Sequence, residues 1–320
     1  MIEAGRQAMR SGGGETYESL RPYLFAVAYR MTGTASDAED LVQDAWIRYL
    51  DAGSPAVTSL KAYLTTIVSR LTLDHLKSAR TTRETYVGTW LPEPVATQDV
   101  IAGPESTIEQ REAVSIAFLS LLESLTPDQR VVFVLRSGFG LPFAEIGEHL
   151  GRSSAACRQL YQRAERVVRS ASAEPAPRPA LPAQEAIVER LLAALDAGDA
   201  RGVAALLAER VTWVGDGGAH QLTVRRPVHG ADKVARGLIG VATKFPCPDG
   251  SRSIEDLNGQ PTIVVREAGV IIRVTTVDIE GGRIVAVRSV LNPDKLRHLI
   301  QSDRRASATA PAPLAGAVHP

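Results

Sequence analysis

Neither sign of charge is in excess: Lys plus Arg and Asp plus Glu number 36 each in 320 residues, so no bulk field marks the whole chain for nucleic acid or an acidic membrane. Cysteine is nearly absent. Cys157 and Cys247 match neither a zinc spacing nor CxxC, which argues against a disulfide framework and a thiolate metal site, and leaves no cofactor or metal to expect. That usage fits a reducing, cytoplasmic setting. No apolar run approaches the roughly 18 residues of a membrane span, and the opening MIEAGRQAMRSGGGE lacks a signal-peptide core, so neither membrane spanning nor secretion is expected. A neutral sum can still hide segregated charges.

What is present is punctuation, mostly proline. Residues 1–15 are Gly and Ser rich and read as a flexible start. Residues 16–85 carry apolar residues only at helical spacing, which predicts a helical domain. A Pro-bearing stretch at 86–104, containing TWLPEP, reads as a linker to a second helical block at 105–171. Residues 172–184, with Pro175, Pro177, Pro179 and Pro182, read as an extended spacer. From 185 to 300 the pattern changes. Two short helical runs, IVERLLAAL and VAALLAE, precede VTWVGDGG and a helix near ADKVARGLIGVATKF; then come TIVVRE, VIIRVTTVDI and RIVAVRSVL, rich in β-branched residues. That order predicts an α+β domain after two all-α domains. The Ala- and Pro-rich residues 301–320 read as a disordered tail.

Ser36 to Glu39, S-D-A-E, has the form of a capping box that opens a helix. Ala38, Leu41, Val42, Ala45, Trp46, Tyr49 and Leu50 then form an inward stripe. Asp37, Asp40, Gln43, Asp44 and Arg48 face outward around Ile47, an arrangement that suits docking on a partner. A second long helix, LKAYLTTIVSRLTLDHLKSARTTR, keeps Leu60, Leu64, Ile67, Val68 and Leu71 inside and sets Arg70, Lys77, Arg80 and Arg83 against Asp74.

The most specific local pattern is LPFAEIGEHLGRSSAACRQLYQRAERVVR. A helix-turn-helix needs a small residue where its helices touch, a turn residue that accepts positive φ, and apolar residues inside the second helix. Gly147, Gly151, Cys157 and Leu160 meet those needs, with Ile146 and Leu150 completing the face. The second helix concentrates arginines against Glu165, and its first half offers Ser153, Ser154, Arg158, Gln159, Gln162 and Arg163 to phosphates and base edges.

Over residues 17–170 the chain resembles the extracytoplasmic-function sigma factors, bacterial promoter-specificity subunits. YLFAVAYRMTGTASDAEDLVQDAWIRYL resembles their core-binding part of region 2, AYLTTIVSRLTLDHLKSAR the part that opens the minus-10 element, and LTPDQRVVFVLRSGFGLPFAEIGEHLGRSSAACRQLYQRA region 4. The resemblance implies that Asp40, Gln43, Asp44, Ile47 and Arg48 meet the beta-prime clamp helices of RNA polymerase core, that region 4 meets the beta flap, that Ser69, Arg70, Lys77 and Arg80 touch minus-10 DNA, and that the helix-turn-helix reads minus-35 DNA. Tyr63 and Pro142 depart from residues common there, a Trp and a Ser or Thr cap. Three signatures narrow the resemblance to the subgroup with a fused C-terminal SnoaL-like domain, a cone-shaped barrel also called NTF2-like. They are WLPEP (Trp90, Leu91, Pro92, Glu93, Pro94), the DGG of a DGGGK motif (Asp216, Gly217, Gly218, departing at Ala219 and His220) and NPDKL (Asn292, Pro293, Asp294, Lys295, Leu296). The implied role of these segments is contact between the fused domain and the sigma module, regulating it in cis.

SnoaL-type cones host isomerases, hydrolases or plain pockets, and fold alone does not decide. Asp216, His220 and Asp278 are the acid/base candidates of such a pocket, with Trp213 as a wall. No nucleophile-base pair or metal triad stands out, so no catalytic residue is expected. The rival reading is a small-molecule enzyme or ligand sensor of the SnoaL type whose helical front end serves localisation. Both readings leave open whether a small ligand is bound.

Overall fold

The computed structural model describes residues 16–309, apart from 56, 85, 87, 102–106, 172–178, 220–222, 225 and 245–249. The predicted architecture is observed: two helical domains precede an α+β domain.

The first domain comprises α1 (Tyr17–Thr32), α2 (Ala35–Asp51) and α3 (Leu60–Glu84). Thr16 and Ser19 form a reciprocal capping box at α1, and Gly33 ends it at φ 69°, a left-handed torsion that glycine adopts without strain. In the inward stripe of α2, Ala38, Leu41, Val42, Ala45 and Tyr49 are buried, and Trp46 is half-buried, stacked on Tyr17 at 4.4 Å. Leu50 is instead exposed. Twelve residues from Ala38 it has drifted roughly 120° around a helix that turns ~100° per residue.

Residues 89–95 form neither helix nor strand, and Leu91, Pro92, Glu93, Pro94 and Val95 are all buried. The expected linker is therefore a core segment, followed by a short α4 (Thr97–Val100). The second domain contains α5 (Ile108–Glu112), α6 (Ile116–Leu122), α7 (Pro127–Phe133), a π-helical turn at Val134–Gly138, α8 (Phe143–Leu150) and α9 (Ser154–Ala171). Gly151 takes φ 64°, and a Cβ on Gly147 would lie 2.6 Å from the Arg152 carbonyl, so both glycines are required where the sequence places them. Ile146 and Cys157 are fully buried between the helices. Pro142 caps α8 without a side-chain hydrogen bond.

The third domain begins with α10 (Leu181–Asp196), which includes the end of the stretch read as a spacer; Pro182 sits in its first turn, where a missing N–H is harmless. After α11 (Ala200–Leu206) come β1 (Leu207–Asp216), β2 (Val228–His229), α12 (Ala231–Lys244), β3 (Gly250–Leu257), β4 (Gln260–Glu267), β5 (Val270–Glu280) and β6 (Arg283–Val290). The strands order β2-β1-β6-β5-β4-β3, with β1 parallel to β6 and the other pairs antiparallel. The final helix, α13 (Pro293–Thr309), extends into the stretch read as a disordered tail.

One apolar core runs unbroken through both helical domains. Another lies between the sheet and the helices α10 to α12. A third joins the domains: Leu91 and Ile116 from the helical half pack with Leu257, Val264, Val290, Leu296 and Leu299. Burying each such leucine contributes about 1.5–3 kcal/mol.

Candidate functional site

Two outward faces stand where the sequence puts them. Asp40, Gln43, Asp44, Ile47 and Arg48 on α2 are all exposed, Ile47 at 45%. Ser153, Arg158, Gln159, Gln162 and Arg163 on α9 are exposed and Ser154 is half-buried. Ser153 caps the helix, accepting from the Ala156 amide at 3.2 Å, and the Arg158 guanidinium lies 5.6 Å from the centre of the Phe143 ring.

The face of α3 differs. Ser69 is fully buried, so its hydroxyl does not present itself to DNA in this arrangement. Arg70 donates from Nε to the His149 carbonyl at 2.6 Å and from Nη2 to the Glu148 carbonyl at 3.2 Å, covering the C-terminal end of α8, where a cation complements unpaired carbonyls. Lys77 is exposed; the side chain of Arg80 lies outside the described residues. Beside Arg70, Thr66 Oγ1 and His149 Nδ1 are 2.6 Å apart, and burial pulls the His149 imidazole below its ordinary pKa.

Two buried arginines staple the helical domains reciprocally. Arg30 of α1 donates to the Gly138 and Val100 carbonyls and stacks on Phe139; burial lowers its pKa to about 10. Arg130 of α7 donates to the Met31 carbonyl at 3.1 Å and pairs with Glu123 at 2.6 Å.

The three signatures meet in one buried cluster. Asp216, at the end of β1, is 1% exposed. Its Oδ2 accepts from the Leu91 amide at 2.8 Å and the Lys295 ammonium at 2.7 Å; its Oδ1 accepts from the Tyr86 hydroxyl at 2.5 Å and the Gly218 amide at 3.2 Å. Lys295 also donates to the Leu91 carbonyl and stands 4.2 Å from the centre of the Trp90 ring. Burial first, and Asp216 next, push the Tyr86 phenol well above its usual range. Asn292 donates to the Tyr86 hydroxyl at 2.9 Å and, as N-cap of α13, accepts the Asp294 amide at 3.1 Å. Gly218, at φ 59°, allows that packing: a Cβ there would lie 2.7 Å from Asn292 Nδ2. NPDKL is thus a helix start that buries Asn292, Lys295 and Leu296 and leaves Pro293 and Asp294 exposed.

Glu93 carries the other end of WLPEP. Its carboxylate accepts from the Ala35 and Ser36 amides and the Ser36 hydroxyl, so it caps α2 from the linker. The Ser36–Glu39 capping box does not form; α2 starts at Ala35 with Thr34 as an N-cap that makes no side-chain bond. A carboxylate from afar supplies the acceptor the local motif would have supplied. Burial raises the Glu93 pKa against those bonds.

A further contact has no counterpart in the sequence reading. The β3–β4 turn, Asn258-Gly259, is driven between the helical domains: fully buried Asn258 donates to the Tyr29 hydroxyl at 2.7 Å and the Val114 carbonyl at 2.8 Å, and accepts from the Val95 amide at 2.9 Å. Arg111 closes on it through the Gly259 carbonyl and Asp256. The Asn-Gly pair before β4 is a strong hairpin signal that could have found this turn; nothing local marks what the turn inserts into.

Among the acid/base candidates, Asp216 is committed to the cluster, Asp278 pairs with Arg288 and is not in the cavity wall, and His220 lies outside the described residues. Trp213 does line the cavity of the third domain. Among the described residues no His, Cys, Asp and Glu group could hold a metal, and no helix is long and apolar enough to cross a membrane.

Two helical domains, the second a helix-turn-helix with an exposed basic helix, joined by a segment buried against a fused α+β domain, define a sigma-type transcription factor. Family models agree: Sigma-70 region 2 matches residues 16–82 and Sigma-70 region 4 matches residues 115–167. The chain is 41% identical over 303 residues to the ECF RNA polymerase sigma factor SigJ of Mycobacterium tuberculosis, covering 92% of this chain and 96% of that protein. It is 31% identical over 289 residues to the probable ECF sigma factor SigI of the same species, covering 88% and 93%. The crystal structure of SigJ superposes with a TM-score of 0.69 at 39% identity, covering 88% of this chain and 97% of that one. The chain belongs to the extracytoplasmic-function RNA polymerase sigma factors.

Proposed function

We propose that this chain is an ECF sigma factor held closed by its own fused domain. Region 2 would direct core polymerase through the outer face of α2 onto the beta-prime clamp helices and open minus-10 DNA with α3; region 4 would read minus-35 DNA with α9 and meet the beta flap. The observation that carries the closed-state reading is Arg70, which belongs to the minus-10 surface of α3 yet is spent on the α8 carbonyls of region 4. Elements named for positions 10 and 35 lie about 25 base pairs apart, roughly 85 Å at ~3.4 Å per base pair. Two domains hydrogen-bonded to each other cannot span that distance, so promoter recognition requires the α3–α8 seam to part.

The fused domain opposes that parting. Asp216 and Lys295 hold Leu91, while Asn258 bridges Tyr29 in region 2 and Val114 beside region 4. The same domain also supports the sigma module, because its removal bares Leu91 and Ile116. The test is run-off transcription with core polymerase at matched protein levels, using full-length protein, a chain ending at Leu291, and a chain ending at Ala171. Loss of α13 alone removes Lys295 and is expected to raise output; loss of the whole domain is expected to lower it. Equal output from all three refutes the reading.

A further inference from the structure

A cavity of the third domain has no part in the sigma contacts described above. It encloses about 1050 Å³, at the upper end of small-molecule sites of about 300–1,000 Å³. Leu191, Leu195, Leu238, Ile263 and Val287 supply apolar walls, with Trp213 as an aromatic one. Polar groups on the wall fall into two sets. Trp213 donates from Nε1 to Ser289 Oγ at 3.3 Å, and that hydroxyl lies 3.2 Å from Thr275 Oγ1, a neutral chain of hydroxyls. The charged set is Lys244, Arg252, Arg273 and Glu267.

Register places two of the cations. Val265 of β4 stands opposite Arg252 on β3 and opposite Arg273 on β5, so all three share one face of the sheet, the face on which Val265 lines the cavity. Arg252 is already oriented by an ion pair with Asp196. A guanidinium pair flanking an aliphatic residue, at one end of an apolar chamber, matches a planar anion attached to an apolar body.

We propose that this cavity binds a small amphipathic acid, an apolar chain or fused-ring body carrying a carboxylate that Arg252 and Arg273 receive. Occupancy reaches the sigma module by a short route. Leu291 lines the cavity, and its amide donates to the Asp216 carbonyl at 2.7 Å; Trp213 lies on the same strand as Asp216. The site stands on the cavity itself, whereas its influence on transcription rests on the closed-state reading above.

The probes are sodium dodecanoate, dodecan-1-ol and dodecyltrimethylammonium, titrated below their micelle-forming concentrations into full-length protein and followed by calorimetry. Gly240 on α12 offers a steric probe: it lines the cavity at an exposed position, and a Cβ there meets no atom within 4 Å, so Gly240→Phe adds an aromatic ring beside the chamber without displacing backbone. Dodecanoate is expected to bind saturably, roughly tenfold tighter than the alcohol or the ammonium, the margin a charge-assisted pair supplies. Gly240→Phe should weaken that binding severalfold, and Arg273→Gln should erase the preference for the acid while leaving a folded protein by circular dichroism. No saturable binding, binding unaltered by Gly240→Phe, or equal affinity for the three head groups overturns the proposal. Run-off transcription with and without dodecanoate separates the two layers: binding as described with unchanged output upholds the site and overturns its link to the clamp.

Discussion

The outer faces of α2 and α9 and the seam around Asp216 are built by opposite rules. Apart from Asp37, half-buried and 3.2 Å from His75, the faces carry charged and amide side chains in water on regular helices, with no long-range partner among the bonds described. The seam buries Asp216, Lys295, Asn258 and Arg30, each bonded to residues far along the chain, Asn258 to Tyr29 across 229 positions. Surface ion pairs contribute little, but a buried polar network fails as a unit when one member is lost. Under the proposed function the difference would assign the parts: the faces would meet partners without rearrangement, and the seam would be a device with two states, made or broken.

The largest effect follows from that contrast. Asp216→Ala leaves the Lys295 ammonium buried without its carboxylate and orphans the Leu91 amide, a loss of about 3–5 kcal/mol. The expected result is faster hydrogen exchange along α3 and α8 and a larger radius of gyration in solution scattering. Replacing both ions, Asp216→Ala with Lys295→Met, should recover part of the loss, since removing a pair is milder than breaking one. A compact, protected single variant would show that the cluster does not hold the domains.

The same contrast explains what could be read from residues alone. The α2 stripe, the glycines of the helix-turn-helix and Trp213 as a cavity wall follow from periodicity and torsion, which act over a few residues. Leu50 escaped because a stripe drifts along a helix, and Ser36 misled because Glu93, from the linker, took over the cap. WLPEP and NPDKL were singled out by resemblance, yet their burial was missed, since prolines and charges look like linker until Asp216 and Tyr86 are placed beside them. Arg30 and Arg130 left no sign, and the Asn258-Gly259 turn left none of what it enters, because a partner far along the chain, often a backbone carbonyl, has no sequence signature.

On the faces, effects should be smaller and confined to binding. Arg158→Ala and Arg163→Ala are each expected to weaken promoter binding by the holoenzyme by about 1–3 kcal/mol, with relaxed base preference where the lost arginine reads a base and uniform weakening where it holds phosphate. Melting temperature should not move. If both variants bind the promoter as the parent does, α9 is not the reader. On α2, Asp44→Lys with Ile47→Ala should lower affinity for core polymerase by about 1–2 kcal/mol without loss of helicity, because both side chains stand in solvent. Unaltered co-purification with core would remove α2 from the interface.

The smallest effect tests whether the seam is electrostatically poised. His149 sits in it against Thr66 and the Arg70 guanidinium, with Glu145 3.5 Å from Nε2 and Glu148 nearby. Burial, the largest cause, and Arg70 lower its pKa, while the two glutamates raise it. With a folded-state value below the ordinary 6.5, the closed form favours the neutral ring; its contribution to stability is complete above that value and is lost as pH falls through the folded one. Acidification should therefore loosen the α3–α8 contact, seen as faster exchange of the α8 amides relative to those of the sheet. Gln in place of His149 keeps a polar partner for Thr66 and cannot take a proton, so its exchange should be flat over the same range once the shared background is subtracted. An identical acid response in parent and His149→Gln would assign the loosening to other groups, and the seam would then be held by Arg70, Arg30 and the Asp216 cluster without a titrating member.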